Sequence, residues 1–285
     1  MKKNKKVIIT GALGQDGLIL SKIYLNNNFK VIGIVKKLRK NVIKKVQYIK
    51  VPLDKFSIFS QTVKRINPDI FIHLGADNPN LKELKNKYPF SKNYMASKNI
   101  IYFFSKNKKK TKIIFIGSSQ MYSKEKIKID INTEFNPQNA YGKFRIKSFD
   151  YMKKYKDEYN LNATMAILFN HDSAFRNKKF LLPRLTKLIK GNKFQELQKI
   201  FNENISGDFS HAEDICNGIY KLSINKNNPD KLIFSSNKRV FINDIIDYLI
   251  RLRKKTLPIL LVIIFSQKKQ LNGKLKRILL LLLKN

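Results

Sequence analysis

The chain has 285 residues, which is enough for one sizeable core or for one nucleotide-binding domain with a small additional lobe. Its 58 lysines and arginines against 20 aspartates and glutamates give a formal net charge of +38, but the lysines are spread along the chain; this favours compositional drift over a nucleic-acid or membrane-binding function, and we expect no specific nucleic-acid partner. The single cysteine, Cys216, excludes an internal disulfide and favours a cytoplasmic location.

The first predicted element is a short strand that leads directly into a glycine-rich turn. Residues 7–10 are apolar and mostly β-branched, which is typical of a buried strand. Glycines at every third position then permit a tight turn, a close approach of backbone N–H groups to a pyrophosphate, and close packing of the next helix. The start of that helix offers N–H groups and a partial positive charge to phosphates. We expect five residues of this turn to bind a dinucleotide cofactor: Gly11, Gly14, Gln15, Asp16 and Gly17.

Strand-like and helical segments alternate up to about residue 170. The predicted strands cover 7–10, 31–35, 48–51, 70–74, 113–117 and 163–169, and the predicted helices lie near 15–27, 56–66, 91–107 and 139–159. This order predicts an α/β fold, a Rossmann-type doubly wound parallel sheet with a smaller C-terminal substrate lobe. We expect the NAD(P)-binding domain over residues 1–169 and the substrate-binding lobe over 170–253, with some interleaving.

The residues after the second strand bear on the choice of cofactor. An acidic residue at this point binds the ribose 2′-hydroxyl of NAD, whereas basic residues suit the additional phosphate of NADP. The chain has Lys36, Lys37 and Arg39 here and no acid. We therefore predict NADP as the cofactor, with Lys36 in contact with it. NAD is the alternative, because lysine is abundant throughout the chain.

Two further segments carry groups suited to chemistry on a sugar. Ser118, Ser119 and Gln120 follow the strand at 113–117, and Tyr141 lies at the start of the next predicted helix. Side chains at these two places face the same crevice in an open α/β sheet. A tyrosine can relay a proton to or from a sugar hydroxyl when a cation lies nearby, while hydride transfer belongs to the nicotinamide.

Together these motifs resemble the extended short-chain dehydrogenase/reductase family, the NAD-dependent epimerases and dehydratases of nucleotide sugars. The stretches GALGQDG at 11–17 and AILFNHDS at 166–173 resemble the GDP-mannose 4,6-dehydratase family in particular, and GDFSHAED at 207–214 resembles its substrate-lobe loop. The resemblance covers about residues 5–250. It implies a nucleotide-sugar substrate, most readily a GDP-hexose, and is compatible with a homo-oligomer.

The resemblance also implies roles for individual residues. Ser118 and Tyr141 match the active-site serine and tyrosine, and Arg145 occupies the position of the active-site lysine. The cofactor-binding residues expected outside the glycine turn are Lys36, Leu74, Gly75, Ala76, Asn93 and Tyr141. The expected substrate-binding residues are Ser119, Gln120, Asn170, Arg176 and Arg184.

The chain departs from the family pattern at four functional positions. Arg145 replaces a lysine, and a guanidinium differs from an ammonium in reach and donor geometry. Gln120 replaces the glutamate that removes a proton next to the 4-keto group, and an amide cannot serve as that base. Gly207 replaces an arginine that pairs with the substrate diphosphate, and Pro52 replaces an acidic residue that contacts the adenine. We therefore expect cofactor binding with impaired dehydratase activity; a 4-keto-sugar reductase or epimerase and a catalytically dead NAD(P)-binding protein are the alternatives.

The remaining sequence features predict neither a metal site nor a membrane span. His73, His171, His211 and Cys216 show no metal-ligand spacing, and the apolar runs at 257–265 and 278–283 are too short to cross a bilayer. The tail at 254–285 is atypical of the family because it is apolar and then lysine-rich. Two explanations of this tail remain: a frameshift in the gene, or a genuinely divergent tail that could lie on a membrane surface.

Overall fold

The computed structural model describes residues 4–38, 43–76, 90–107, 110–123 and 128–256, with side chains to residue 253. These residues form two compact units. The first comprises the described parts of Met1–Leu168 together with Ile215–Phe234, and the second those of Phe169–Asp214 and Ser235–Asn285. Arg39 and the tail at 257–285 lie outside the described residues.

A seven-stranded parallel sheet forms the centre of the first unit, in the order β3-β2-β1-β4-β5-β6-β9. Its strands are β1 (Lys6–Thr10), β2 (Lys30–Val35), β3 (Gln47–Lys50), β4 (Ile70–His73), β5 (Lys112–Ser118), β6 (Ala163–Leu168) and β9 (Lys231–Phe234). The sheet is wound outward in both directions, because β1 pairs with β2 on one side and with β4 on the other. The predicted Rossmann-type fold is thereby confirmed, and in such a sheet ligands bind at the carboxyl ends of the strands where the order reverses.

Helices cover both faces of this sheet. They are α1 (Gln15–Asn26), α2 (Phe56–Ile66), α3 (Ser91–Ser105), α4 (Ala140–Tyr159) and, beginning at its junction with the second unit, α7 (Ala212–Ile224). Tyr24 of α1 and Ser223 of α7 are joined by a hydrogen bond of 2.5 Å between their hydroxyl oxygens, so these two helices share one face. Helix α3 packs against both α2 and α4, and these three helices form the other layer.

The main core lies between the sheet and this second layer of helices. Ile8, Phe71 and Ile113 are register partners in β1, β4 and β5 and are fully buried. Phe71 packs edge-on against Phe59 of α2 and Phe104 of α3, with ring centroids 6.2 Å and 5.2 Å away. Burial of each such side chain stabilises the fold by about 1.5–3 kcal/mol.

The second unit is built on a three-stranded sheet of order β10-β8-β7. The strands are β7 (Asn170–Asp172), β8 (Ser206–His211) and β10 (Arg239–Phe241), with β8 parallel to β7 and antiparallel to β10. The helices are α5 (Leu181–Lys190), α6 (Phe194–Asn202) and α8 (Ile242–Thr256). Their apolar faces share a core that includes Leu185, Ile245 and Leu249. The sequence suggested sparse strands after residue 170 but did not reveal these individual elements.

Left-handed backbone conformations fall on asparagine in this fold. Apart from glycine, the described residues with positive φ are Asn28, Asn67, Asn160, Asn192, Asn204 and Asn237. Asn67 and Asn160 are the C-cap residues that directly follow α2 and α4. Asparagine tolerates this conformation better than most residues because its short amide can hydrogen-bond locally.

No helix in the described ranges combines the length and apolar character that a membrane crossing needs. The same residues contain no group of three or more His, Cys, Asp or Glu side chains that could hold a metal ion. The apolar runs at 257–265 and 278–283 lie outside the described part of the chain.

Candidate active site

The turn after β1 depends on glycine for its shape. Gly11 has a φ of +69°, a conformation that L side chains rarely adopt, and its N–H donates to the Ile34 carbonyl at 3.0 Å. The Gly14 N–H donates to the Gly11 carbonyl at 2.9 Å. A Cβ on Gly17 would lie 2.5 Å from the Gly11 carbonyl oxygen and 2.6 Å from Ala12 Cα. Helix α1 therefore approaches the turn more closely than any side chain would allow, which is the geometry of a dinucleotide-binding turn.

The loop after β4 is fixed against this turn by a buried threonine. Thr10 Oγ1 lies 2.9 Å from His73 Nδ1 and accepts a hydrogen bond of 2.8 Å from the Gly75 N–H. Burial and, secondarily, the positive charge of Arg145 lower the pKa of His73 to about 3. The ring is therefore neutral near pH 7, and its Nδ1 can accept a hydrogen bond from the Thr10 hydroxyl. This arrangement places two predicted cofactor-binding residues, Leu74 and Gly75, beside Gly11. A third, Ala76, donates its N–H to the Leu74 carbonyl at 2.8 Å.

The end of β5 and the start of α4 meet through a second glycine contact. One 3₁₀ turn, Ser119–Met121, follows β5, and Ser118 Oγ accepts a hydrogen bond of 3.3 Å from the Gln120 N–H. A Cβ on Gly142 would collide with the Gln120 carbonyl oxygen. Glycine at 142 thus permits the close approach that brings its neighbour Tyr141 to the end of β5. Ser118, Gln120 and Tyr141, predicted to face one crevice, lie on these two adjoining elements.

Tyr141 and Arg145 form a buried hydrogen-bonded pair one helical turn apart. Arg145 Nη2 donates to Tyr141 Oη at 2.9 Å, and the two residues are only 5% and 6% exposed. The guanidinium carbon lies 5.0 Å from the ring centroids of Tyr141 and Phe144, within the range of cation–π attraction. Arg145 Nε has no hydrogen-bond partner in the described part of the chain. The guanidinium therefore reaches the phenol from one turn further along the same helix.

Gln120 is held by a residue that the sequence reasoning did not single out. Its Oε1 accepts a hydrogen bond of 2.9 Å from Asn139 Nδ2, and Asn139 Oδ1 accepts one of 2.9 Å from the Gly142 N–H at the start of α4. An asparagine directly before a predicted helix indicates an N-cap, and this pattern in the sequence could have identified Asn139. Thr10 was missed in the same way, although it is a polar residue at the end of an apolar strand.

The other candidates in the first unit differ in exposure. Asn93 is 6% exposed in α3. Lys36 and Lys37 follow β2 directly and are exposed, as is Pro52 after β3. These two lysines of the predicted basic cluster therefore lie at the carboxyl end of β2, where a dinucleotide's adenosine ribose binds in this fold.

The substrate-binding candidates Asn170, Arg176 and Arg184 all belong to the second unit. Asn170 Nδ2 donates to the Asp208 carbonyl at 3.1 Å. Arg176 Nε lies 2.9 Å from Asp172 Oδ1 and forms an ion pair that is mostly buried. Arg184 is exposed on α5.

Gly207 lies in β8 in tight surroundings. A Cβ at this position would lie 3.1 Å from Asn170 Nδ2 and 3.3 Å from the Phe209 ring. The register pairs Asn170 with Phe209 and Gly207 with Val240, so these side chains share one face of the small sheet. A larger residue at 207 would require its neighbours to shift, and the site as built suits glycine.

Comparisons with known proteins agree with this architecture. A family model described as GDP-mannose 4,6 dehydratase matches residues 8–258. The GDP-mannose 4,6 dehydratase of Dictyostelium discoideum is 23% identical over 270 residues, covering 87% of this chain and 76% of that protein. The GDP-mannose 4,6-dehydratase of Vibrio cholerae serotype O1 is 24% identical over 266 residues, covering 86% and 71%.

Solved structures of related enzymes share the fold. UDP-glucuronic acid 4-epimerase from Bacillus cereus, in complex with UDP-glucuronic acid and NAD, aligns with a TM-score of 0.73 at 17% identity, over 87% of this chain and 83% of that one. dTDP-glucose 4,6-dehydratase from Bacillus anthracis, in complex with NAD, aligns with a TM-score of 0.72 at 12% identity, over 87% and 81%. Because the family model spans most of its length, the chain belongs to the GDP-mannose 4,6-dehydratase family.

Proposed function

We propose that this chain binds a nicotinamide dinucleotide, NADP in preference to NAD, and acts at C4 of a GDP-linked hexose. The observation that carries the proposal is the buried pair of Tyr141 and Arg145 beside the end of β5. Membership of a family of nucleotide-sugar enzymes supports the same chemistry, and NAD is bound in both structural neighbours.

The glycine turn fits a dinucleotide on steric grounds. A Cβ on Gly14 would meet only one atom, the Gly11 carbonyl oxygen, at 3.3 Å; this contact is tight, but a shift of a few tenths of an ångström would relieve it, so packing within the chain opposes a small side chain far less here than at Gly17. The bare backbone at Gly14 is therefore best explained by a ligand that approaches it, and a pyrophosphate is the ligand that this turn suits. Exposed Lys36 and Lys37 would bind the 2′-phosphate of NADP. When bound, the nicotinamide accepts and returns a hydride.

The side chains at the crevice supply the proton transfer. Tyr141 Oη takes the proton of the sugar C4 hydroxyl during oxidation and gives it back during reduction. Ser118 Oγ hydrogen-bonds to the same sugar oxygen. Arg145 holds the phenol in place through its Nη2 and favours the build-up of negative charge on Tyr141 Oη during the transfer.

With Gln120 at this position, the site keeps the groups for oxidation at C4 but lacks the base for the loss of water. Elimination of water across C5 and C6 requires a base near C5, and a neutral amide has no basic lone pair to serve. The proposed activity is therefore a dehydratase-type reaction that is impaired at elimination. A reductase or epimerase acting on a 4-keto sugar is the second candidate, because such a reaction needs Tyr141 and Ser118 but not a base at position 120.

The test is a pair of matched charge substitutions. Gln120→Glu restores a carboxylate at the crevice and should raise formation of the 4-keto-6-deoxy sugar from GDP-mannose by about 10²–10⁴-fold, the usual contribution of a general base. Gln138→Glu adds the same charge at a neighbouring exposed position and should leave the rate unchanged. Product formation in the presence of NADP is measured by chromatography for both variants and the wild type.

The other outcomes separate the alternatives. Full dehydratase activity in the wild-type chain would refute the assigned effect of Gln120. NADP-dependent turnover of a 4-keto sugar, without dehydration in any variant, would establish the reductase or epimerase. If no variant forms product although each still binds the cofactor, the chain is a protein that binds NAD(P) without catalysis.

A further inference from the structure

Asn139 is bound at both ends of its side-chain amide. Its Oδ1 accepts from the Gly142 N–H at 2.9 Å, and its Nδ2 donates to Gln120 Oε1 at 2.9 Å. One side chain thus caps α4 and also holds the side chain that stands where the family pattern has a glutamate.

The direction of these bonds follows from the backbone. A peptide N–H can only donate, so the Asn139 atom that faces Gly142 must be the carbonyl oxygen. The other end of the amide is then the NH₂ group, which can only donate, so the Gln120 atom that faces it must be Oε1. The Nε2 of Gln120 is consequently the end that points away from Asn139. The Gly142 N–H thus fixes the orientation of both amides, which distances alone would leave ambiguous.

Residue 120 lies next to the proposed reaction centre. The Gln120 carbonyl oxygen contacts Gly142, the residue after Tyr141, and Gln120 is partly exposed. Among the described residues, only Asn139 is hydrogen-bonded to the Gln120 side chain. The Nε2 group is therefore available to a ligand at the end of β5.

We propose that Asn139 is a positioning residue that makes Gln120 an N–H donor toward an oxygen of the bound hexose. A hydroxyl or keto oxygen accepts such a bond, whereas an outward Oε1 would favour hydroxyl donors only. The sugar contact rests on the proposed function, but the orientation of the amide does not. It follows that the N-cap residue Asn139 determines whether Gln120 presents a hydrogen-bond donor or an acceptor to the ligand.

Substitution at the cap can reverse this polarity without removing the cap. In Asn139→Asp, one carboxylate oxygen accepts from the Gly142 N–H and the other needs a donor, so the Gln120 amide turns and presents Oε1 outward. In Asn139→Ser, the hydroxyl caps the helix but is too short to hold Gln120. Asp, Asn and Ser are all preferred N-caps, so each variant should fold. Asn136→Asp adds the same charge at an exposed position three residues earlier and serves as the control.

The orientation is read directly by NMR of protein labelled with ¹⁵N at glutamine side chains, with the Gln120 signal assigned by its loss in Gln120→Leu. In Asn139→Asp one Nε2 proton gains a charge-assisted bond, so we expect a downfield shift and slower exchange with water. Neither change is expected in Asn139→Ser or Asn136→Asp. An unshifted Gln120 signal in folded Asn139→Asp would overturn the positioning role.

The sugar contact is read by calorimetric titration with GDP-mannose. Loss of one donor and its replacement by an opposed acceptor should weaken binding by about tenfold in Asn139→Asp relative to Asn136→Asp. Equal affinities, with the NMR shift present, would overturn the contact and leave the positioning intact. Absence of GDP-mannose binding by the wild-type chain would contradict the proposed function and the sugar contact with it, while the NMR result would still decide the orientation.

Discussion

At the scale of single residues, Arg145 shows how function opposes stability in this site. Its guanidinium is buried, and it donates a hydrogen bond to the phenol of Tyr141 rather than to a carboxylate. A buried charge without a paired opposite charge costs the fold several kcal/mol. The residue is therefore better explained by what it does at Tyr141 than by any contribution to folding.

Replacing Arg145 by an apolar side chain of similar length should separate these two effects. In Arg145→Met, we expect the free energy of unfolding to stay level or to rise by up to about 2 kcal/mol, because the desolvated charge is removed. Turnover at C4 should fall by about 10²-fold, because the phenol loses its cation. Urea unfolding and cofactor-reduction rates measure the two quantities. Arg145→Lys, which restores the family residue, should retain most of the rate, and a variant that lost stability and activity together would contradict the separation.

His73 gives the first unit a specific sensitivity to acid. Burial first, and the charge of Arg145 second, hold the pKa of His73 at about 3 in the folded chain, against about 6.5 in the unfolded chain. The unfolded state therefore binds the extra proton between pH 6.5 and pH 3, and stability falls as the pH is lowered through this window. Between pH 7 and pH 5 this one group should cost about 2 kcal/mol.

The variant His73→Asn should remove this loss, because asparagine can still hydrogen-bond to Thr10 but does not titrate. The measurement is urea unfolding of both proteins at pH 8, 7 and 5. The wild type should lose about 2 kcal/mol more than the variant between pH 7 and pH 5. Between pH 8 and pH 7 the two should run in parallel, since His73 is then neutral in both states. Parallel behaviour down to pH 5 would show that His73 is protonated in the folded chain.

At the scale of elements, the turn after β1 has glycine at different positions for different reasons. Gly17 is required by packing, because a Cβ would lie 2.5 Å and 2.6 Å from backbone atoms of the turn. A Cβ on Gly14 would meet one backbone atom at 3.3 Å, a tight contact that a small shift would relieve, so we assign the absence of a side chain there to the cofactor. The same motif thus combines one folding constraint with one binding constraint.

Two alanine substitutions should distinguish them. Gly17→Ala should lower the free energy of unfolding by about 1–3 kcal/mol or more, as overpacking does. Gly14→Ala should change stability little but should abolish the stabilisation of about 2–4 kcal/mol that NADP at 100- to 1,000-fold excess over its Kd gives the wild type. Thermal unfolding with and without NADP measures both effects. Full NADP stabilisation in Gly14→Ala would place the pyrophosphate elsewhere.

The elements that could be predicted are those whose pattern is local. Strands β1, β2, β4, β5 and β6 are mainly apolar runs of four to seven residues, and α1 to α4 agree with prediction within two residues at each end. Strands β7 and β10 have three residues each and read NHD and RVF, which is too short to show a period of two. The Ser118 and Tyr141 spacing could likewise be recognised in the sequence. The links from Thr10 to His73 and Gly75, and from Asn139 to Gln120, depend on sheet register and helix packing and could not.

At the scale of the whole molecule, the net charge of +38 complicates any measurement of cofactor preference. Every anionic ligand is attracted, and the ligand with one more phosphate is attracted more. Preference for NADP must therefore be separated from this general field, which salt screens over about 8 Å at physiological ionic strength and about 3 Å at 1 M.

Paired substitutions that remove equal charge can make this separation. The wild type should bind NADP about tenfold more tightly than NAD, a difference of about 1.4 kcal/mol. Lys36→Gln/Lys37→Gln should abolish the difference, while Lys64→Gln/Arg65→Gln, which removes two exposed charges from the end of α2, should preserve it. Titrations at physiological and at 1 M ionic strength measure both. Equal effects of the two double variants would assign the preference to net charge alone.

The asparagines with positive φ suggest that the base composition of the gene affects which residue occupies the left-handed positions of the backbone. Asparagine codons are built mainly from A and T, whereas every glycine codon begins with two G bases. The chain has only 11 glycines, about half the usual share of about 7%, and asparagine occupies six left-handed positions among its described residues. Asparagine is the residue encoded by such triplets that this conformation tolerates. A gene that mutates toward A and T can therefore carry asparagine in place of glycine after a helix, and the helix still ends at the same residue. Most other residues with A- and T-rich codons would be strained there, because they rarely adopt a positive φ.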